Sequence, residues 1–190
     1  TTTIAAYVYD LITGKNIGTY SDLNGQVSEG ADVITRIVAC ISNPAGLKTL
    51  QKKVVSTING LIKNAVAEHQ ISSKNIYSVA LCGNSAMQHL FLGLHPDNLG
   101  RAPFTSVVQR DVVTEAGDLG LNINPRGVVH FLPLIGGFVG ADTTSVLLSL
   151  LHGEDKMRLI IDIGTNGEMV LGRRGKMLAA STAAGPALEG

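Results

Sequence analysis

The sequence predicts a mixed α/β fold with a central, largely parallel sheet flanked by helices. Residues 75–93 and 128–151 each combine an apolar strand pattern, a turn that contains glycine and a helical pattern, as in chains that build parallel sheets. A long stretch with apolar residues at helical spacing precedes them. The chain has 190 residues, 45% of them hydrophobic, which is enough to bury a substantial core.

Two strands and a short helix are predicted near the start. Residues 3–11 and 15–23 have strand patterns on either side of an Ile-Thr-Gly-Lys turn. Asp32 is a predicted N-cap for a helix over residues 33–41, and Pro44 interrupts the helical pattern soon afterwards.

A long amphipathic helix is predicted next, with its apolar residues over 47–65 and its end at about His69. Its apolar residues recur at helical spacing: Leu47, Leu50, Val54, Ile58, Leu61, Ile62 and Ala65. Such a stripe buries one face of a helix, so we expect this element to be scaffold.

Two buried parallel strands are predicted at residues 76–82 and 128–134, each followed by a turn and a helix. Residues 100–126 between them are mixed and rich in turn signals, and no element is assigned there. Near the end, an Arg-Arg-Gly-Lys turn leads into a strand over residues 177–181, and Pro186 suits the first position of a helix.

The composition excludes several classes of function. Lys+Arg and Asp+Glu both number 15, so the formal net charge is zero and nothing favours binding to nucleic acid or an anionic membrane. The longest apolar run is too short and interrupted to span a bilayer, and no signal peptide opens the chain. Cys40 and Cys82 are far apart, which predicts a reduced, cytoplasmic protein with no metal or iron–sulfur site in this chain.

The segment Asp-Ile-Gly-Thr-Asn-Gly-Glu is a candidate phosphate site. Asp162 is placed to bind Mg²⁺, through water, and Glu168 to orient a water molecule or the hydrated metal. The residues between them offer close backbone approach, a hydroxyl and an amide to phosphate oxygens: Gly164, Thr165, Asn166 and Gly167. The alternative is a hairpin whose glycines serve the turn and whose aspartate caps it.

Asp142 stands at the predicted start of a helix, after a loop with three glycines. The glycines are Gly136, Gly137 and Gly140. One explanation is helix capping, because a helix N-terminus favours a carboxylate by roughly 0.3–1 kcal/mol. The other is a second acid that faces metal or water across from Asp162. Both explanations stay open.

The turn after the first buried strand is a candidate ligand edge, because open α/β sheets bind ligands at the carboxyl ends of their strands. It contains Gly83, Asn84 and Ser85. Helix capping by Asn84 or Ser85 explains the same residues equally well. We expect His89, His130 and Cys82 to be core residues, since each falls on an apolar element.

The two ends of the chain share one layout. Residues 1–20 and 165–181 both contain small polar residues, an apolar strand, a turn with Gly and Lys, and a second strand. Thr1 aligns with Thr165, and the Asp-Ile-Gly before Thr165 has no counterpart at the start. We therefore expect a first lobe over residues 1–157, clipped at its start, and an incomplete second lobe over residues 158–190.

Five segments together resemble one family. They are EGADVITRI, LCGNSAMQHLFLG, FLPLIGGFVGAD, DIGTNGEMVLG and AASTAAGPALEG. In this order they resemble the C-terminal nucleotide-binding domain of reductive activators of corrinoid proteins, which belongs to the acetate-and-sugar-kinase, heat-shock chaperone and actin superfamily. The resemblance implies an actin-like, ribonuclease H-like fold with a mixed sheet flanked by helices.

The resemblance also implies roles for the candidate residues. Asp162, Gly164, Thr165, Asn166 and Glu168 match the second phosphate motif of the superfamily. Gly136, Gly137, Gly140 and Asp142 match the motif that connects the lobes. Thr1, Thr2 and Thr3 match the tail of the first phosphate motif, whose aspartate is missing here. Asp142 and Glu168 are the candidate catalytic residues.

The implied function is ATP-driven activation of a corrinoid protein. Family members carry a ferredoxin-like [2Fe–2S] domain and use ATP and Mg²⁺ to drive the reduction of Co(II) to Co(I) by electron transfer, in support of methyl transfer. This chain has neither the ferredoxin cysteines nor an adenosine-binding segment, so we expect a middle slice that is inactive alone. A small-molecule kinase of the same fold and a nucleotide-controlled assembly protein remain alternative functions. A homodimer remains an open alternative for the oligomeric state.

Overall fold

The structure is a computed structural model that describes residues 1–150, 155–164 and 166–183. These residues form eight strands and five helices. The strands are β1 (Thr3–Tyr9), β2 (Asn16–Leu23), β3 (Ser78–Leu81), β4 (Val112–Glu115), β5 (Val128–Phe131), β6 (Arg158–Ile163), β7 (Asn166–Arg173) and β8 (Lys176–Ala183). The helices are α1 (Val33–Ser42), α2 (Gly46–His69), α3 (Ser85–Leu92), α4 (Ala116–Leu119) and α5 (Ala141–Leu150).

The strands form three separate sheets. β1 and β2 are an antiparallel pair, β3–β5–β4 is a mixed sheet, and β6–β7–β8 is an antiparallel meander. The mixed α/β class is confirmed, but the prediction of a largely parallel sheet is wrong. Within the described ranges only β3 and β5 pair in parallel. Short turns join β1 to β2, β6 to β7 and β7 to β8, and such turns bring strands together in antiparallel fashion. β4 and β5 are also antiparallel, although α4 lies between them in the sequence.

The two predicted helices of the first half are present. Asp32 caps α1, because its Oδ1 accepts the backbone N–H of Thr35 at 2.7 Å. α2 ends at His69, as predicted, and its C-cap Gln70 has a left-handed φ of 51°. The predicted apolar stripe of α2 is the side that the protein buries: Leu50, Val54, Ile58, Leu61 and Ala65.

The main core lies between α2, α3 and the β3–β5–β4 sheet. Its buried members are Val54, Ile58, Phe91, Ala116, Leu121, Ile123, Val129, Phe131, Leu134 and Ala141. The rings of Phe91 and Phe131 lie 6.0 Å apart and join α3 to β5. This packing fixes the carboxyl ends of β3 and β5, where the glycine-containing turns begin.

The two parallel strands are buried on one face only. In β5, Val129 and Phe131 are buried, whereas Val128 and His130 are exposed. The strands are also shorter than predicted. Residues 100–126, to which the sequence assigned no element, contain β4 and α4.

The β6–β7–β8 sheet has one partly buried face, which is both apolar and acidic, and one apolar, exposed face. Val170 is buried on the first face, which also carries Asp162 and Glu168. The exposed face carries Leu159, Ile161, Ile163, Leu171 and Leu178. β7 and β8 form an antiparallel hairpin, as β1 and β2 do, in agreement with the shared layout of the two segments. The helix predicted at Pro186 lies outside the described residues.

α2 has the length to cross a bilayer, but no helix of the described ranges is both long and apolar enough to do so.

Candidate functional site

Three carboxylates come together at the end of the glycine-rich loop. Asp162 on β6 and Glu168 on β7 are direct partners in the antiparallel ladder, so their side chains share one face of the sheet. Asp142, at the start of α5, interacts electrostatically with both. The structure thus brings Asp142 and Asp162 together, in agreement with one of the two explanations that the sequence left open for Asp142.

Each of the two partly buried carboxylates is easier to protonate than usual. Burial raises the pKa of Asp142, and the charge of Asp162 raises it further, although the N–H of Thr143 acts in the opposite direction. Burial also raises the pKa of Glu168, to which Asp142 and Asp162 add, while a hydrogen bond from Ser181 at 3.2 Å lowers it. Since Asp162 itself is exposed, a cation can reach the cluster from solvent and offset this repulsion.

The backbone of the β3–α3 turn fixes Asp142. The carbonyl oxygen of Gly83 accepts the N–H of Ala141 at 2.9 Å and that of Asp142 at 3.3 Å. Gly140 permits this approach, because a Cβ atom there would lie 2.5 Å from Asn84 Cα and 2.8 Å from Gly83 O. Glycine at position 140 is therefore required by close packing between two turns.

Asn84 and Ser85 both serve the framework of the site. Asn84 caps α3, with its Oδ1 accepting the N–H of Met87 at 2.9 Å. The Ser85 hydroxyl donates to the carbonyl of Gly136 at 2.8 Å and so ties α3 to the glycine-rich loop. The capping alternative thus holds for Asn84.

The two turns also line a common cleft with α1 and β7. Its walls are formed by Val33, Ile37, Asn84, Ser85, Ala86, Leu99, Gly137, Phe138 and Asn166. The candidate ligand edge, the glycine-rich loop and the first residue of β7 therefore meet at one place. The cleft is apolar on the side of α1 and polar at Asn84, Ser85 and Asn166.

The predicted phosphate hairpin turns tightly between β6 and β7. The N–H of Gly164 donates to the carbonyl of Asn166 at 3.0 Å, and Gly167 pairs with Ile163. Thr165 lies outside the described residues. The turn places Asn166 at the cleft and leaves Asp162 and Glu168 on the carboxylate face.

The residues that precede β1 are held by a buried asparagine. Asn24 donates its side-chain Nδ2 to the carbonyl of Thr1 at 2.9 Å and its backbone N–H to that of Thr2 at 2.7 Å. The backbone nitrogen of Thr1 lies near Asp142. Thr3 is the first residue of β1. All three candidate phosphate segments thus lie near Asp142.

His89 is the satisfied core residue that the sequence predicted, but His130 and Cys82 are not. His89 is fully buried, with Nδ1 bonded to the carbonyl of Ser85 at 2.7 Å and Nε2 accepting the N–H of Val107 at 2.9 Å. Burial lowers the pKa of this imidazole. His130 and Cys82 are exposed because helices cover only one face of their sheet.

Sequence reasoning missed Arg36 and Asn24, which are both buried beside residues 1–3. The signal for Arg36 was available. It falls on the same helical stripe as Val33, Ile37 and Cys40, where a charged residue is unusual. Asn24 had no comparable signal, because its turn position alone explains an asparagine.

The carboxylates suit Mg²⁺ held through water better than a closed metal cage. In the part of the chain that the structure describes, no three His, Cys, Asp or Glu residues are grouped closely enough to hold an ion directly. Mg²⁺ commonly uses one or two carboxylates, several waters and substrate phosphates. Asp162 and its two neighbours supply the oxygen donors for that mode.

Comparisons with known proteins identify the family to which this chain belongs. Residues 1–153 match the family model of the RACo middle region, and residues 156–190 match that of the C-terminal domain of RACo, the ASKHA domain. The chain belongs to the family of reductive activators of corrinoid proteins. The fold implied by the resemblance is confirmed.

Two relatives show how much of a family member this chain represents. It is 45% identical over 190 residues to the corrinoid activation enzyme RamQ of Eubacterium limosum, covering all of this chain and 32% of the relative. It also matches the solved structure of a reductive activator for corrinoid, iron–sulfur protein, with 39% identity and a TM-score of 0.95, over 30% of that protein. The chain thus spans about a third of the length of the curated relative it matches.

Proposed function

We propose that this chain forms part of the ATP-binding module of a protein that reductively activates a corrinoid protein. The observation that carries the proposal is the meeting of Asp142, Asp162 and Glu168 beside a glycine-rich loop and a helix N-terminus. Directly opposed carboxylates destabilise a strand pair, so a fold that retains three of them together needs a compensating positive charge.

The chain offers the phosphates of a nucleotide three kinds of contact. Backbone N–H groups are expected from the turn between Gly164 and Gly167, a side-chain amide from Asn166, and close backbone approach from the loop at Gly136. Gly137 packs instead against the backbone of Phe104. Gly136 has open space around it, since a Cβ atom there would meet nothing within 4 Å. A phosphate oxygen can therefore come close to that part of the loop.

Mg²⁺ would be held chiefly by Asp162, with Asp142 and Glu168 as further acids that face its water molecules. When bound, the ion neutralises the negative charge of the phosphates. The raised pKa of Glu168 suits a residue that accepts a proton from water, because such a base works best when its pKa approaches the operating pH.

In the complete protein, we propose that ATP binding closes two lobes and changes the contact with the corrinoid partner. A [2Fe–2S] cluster in a ferredoxin-like domain outside these 190 residues would supply the single electron that reduces Co(II) to Co(I), and the cluster would be oxidised in turn. ATP hydrolysis would drive this unfavourable transfer. The free thiols of Cys40 and Cys82 support a cytoplasmic location.

The test is Asp162→Asn in the complete protein, with Asp22→Asn as the matched control. Asp22 is an exposed carboxylate on β2, in the hairpin that corresponds to β7–β8, and it accepts the N–H of Leu23 at 2.7 Å. Asparagine keeps the shape at both positions and removes the charge. We expect Asp162→Asn to weaken Mg·ATP binding about tenfold or more, because a lost charged contact removes roughly 1.5–3 kcal/mol.

Binding, melting temperature and ATP-dependent corrinoid reduction are measured for both variants. Near-normal melting of Asp162→Asn together with lost ATP dependence supports the site, provided that Asp22→Asn keeps both properties. If ATP-dependent reduction survives in Asp162→Asn, the aspartate is a turn residue and the phosphate assignment is wrong.

A further inference from the structure

Arg36 is a fully buried cation that stands apart from the acidic cluster. Its relative exposure is 0%, and it forms no salt bridge with any residue that the structure describes. Burial lowers its pKa, with the charge of Asp32 acting in the opposite direction. A buried charge normally has a carboxylate partner, so the surroundings of this one call for an explanation.

The guanidinium connects three parts of the chain through carbonyl and amide oxygens. Nε donates to the carbonyl of Gly30 at 2.9 Å. Nη1 donates to the carbonyl of Thr1 at 3.1 Å and to Oε1 of Gln26 at 3.3 Å. Asn24 donates to the same Thr1 carbonyl, which therefore receives two buried side-chain donors.

The chain is shaped to accept the arginine at this place. A Cβ atom at Gly30 would lie 2.9 Å from the backbone nitrogen of Arg36 and 3.0 Å from its Cγ. Gly30 thus lets the preceding turn close over the side chain. Val33 and Ile37, which lie on the same helical stripe as Arg36, form the α1 wall of the cleft that Asn84 and Asn166 also line.

We propose that Arg36 is a positioning residue for the nucleotide site: it holds the carbonyl of Thr1 so that residues 1–3 face the phosphates. The inference rests on the proposed ATP binding and adds a residue that acts through the backbone rather than by contact with the ligand. The backbone of Thr1 carries the connection. Its carbonyl is bound by Arg36, and its backbone nitrogen lies near Asp142.

Stability alone does not account for this arginine. Its Nη2 atom is buried without a hydrogen-bond partner among the described residues. Methionine has a similar length and would remove the unpaired donor and the desolvated charge, whereas the carbonyl of Gly30 would lose the donor that Arg36 supplies. This gain and this loss oppose each other, so stability does not by itself favour arginine here. The orientation of Thr1, in contrast, requires the hydrogen bond from Arg36.

The experiment compares Arg36→Met and Arg36→Lys with Leu61→Ala in the complete protein. Leu61 is a buried core residue of α2, so its truncation lowers stability without touching residues 1–3. For each variant, the melting temperature, the Kd for Mg·ATP, and the KM for ATP and kcat of corrinoid reduction are measured.

We expect Arg36→Met to melt no lower than Leu61→Ala, yet to bind Mg·ATP about tenfold more weakly, with KM raised. Arg36→Lys should lose less affinity, because an ammonium keeps the charge and can make one of the Nη1 contacts. Leu61→Ala should melt lower with unchanged affinity.

Wild-type affinity and KM in either Arg36 variant would overturn the inference and leave the proposed ATP binding intact. A loss of affinity that merely follows the loss of melting temperature, as shown by Leu61→Ala, would also overturn it. Absence of Mg·ATP binding by the wild-type protein would instead refute the proposed function, and the inference would fall with it.

Discussion

Replacing Gly140 by alanine is a direct test of how the site is assembled. The added Cβ would lie 2.5 Å from Asn84 Cα, 2.7 Å from Asp142 Oδ1 and 2.8 Å from Gly83 O. Two of these three neighbours are backbone atoms that cannot rotate away. The β3–α3 turn and the start of α5 must therefore move apart.

The expected cost follows from two contributions. Overpacking in a well-packed region costs about 1–3 kcal/mol. Separation of the turns also weakens the hydrogen bonds from Ala141 and Asp142 to Gly83, each worth about 0.5–1.5 kcal/mol. A total of about 2–4 kcal/mol lowers the melting temperature by at least about 4 °C in a domain of this size.

Gly136→Ala is the matched control, because it makes the same change in the same loop. A Cβ atom at Gly136 would meet nothing within 4 Å. We expect Gly136→Ala to leave the melting temperature close to that of the wild type in a thermal unfolding scan. Equal melting temperatures for the two variants would refute the close packing of Gly140 against the β3–α3 turn.

Two further predictions concern pH. Because the pKa of Asp142 is raised above its ordinary value of 3.8, the folded state binds more protons there than the unfolded state, and ionisation destabilises the fold as pH rises through that window. Asp142→Asn should therefore melt a few degrees higher than the wild type at about pH 7 but bind Mg·ATP more weakly. The control Asp111→Asn, at an exposed position, should change neither property. A lower melting temperature of Asp142→Asn would contradict the repulsion between Asp142 and the neighbouring carboxylates. His89 makes stability depend on pH in the opposite direction. Its pKa is lowered, so stability is lost as pH falls below the ordinary value of 6.5. The drop in melting temperature between about pH 7 and pH 5.5 should be smaller in His89→Gln than in the wild type or in the control His130→Gln, at an exposed position. Equal drops in all three proteins would exclude the buried imidazole as a cause of the pH dependence.

The helices of the first half were predictable because their signals are local. The cap at Asp32 and the apolar stripe of α2 lie within one or a few turns of the chain, where side chains three and four residues apart share a face. The β7–β8 hairpin was predictable for the same reason. These elements needed no knowledge of what packs against them.

The sheets were less predictable because pairing and coverage are set by distant residues. β4 has only four residues and no distinctive pattern, and it is a strand because β5 lies beside it. The exposure of Cys82 and His130 depends on which face of the β3–β5–β4 sheet the helices cover. An apolar strand pattern does not contain that information.

The residues of the candidate site could be proposed from the sequence, but their positions next to one another could not. Asp162 and Glu168 are six residues apart, and only the register of β6 against β7 makes them direct partners. Asp142 is brought to them from another element, and its position depends on the two hydrogen bonds to Gly83. Arg36 was missed because local patterns assign charged residues to helix surfaces.

The energetics of the cluster connect the fold to the proposed function. Asp142 and Glu168 are partly buried and repel each other and Asp162, so their ionisation opposes folding at neutral pH. A cation bound through Asp162 would reduce that repulsion, and a ligand that binds only the folded state stabilises it according to its concentration relative to its Kd. Nucleotide with Mg²⁺ and the native arrangement of β6, β7 and α5 should therefore stabilise each other. Under the proposed function, the loss of Mg²⁺ and nucleotide weakens the arrangement of these same elements, which is what an ATP-dependent change in the contact with a partner protein requires.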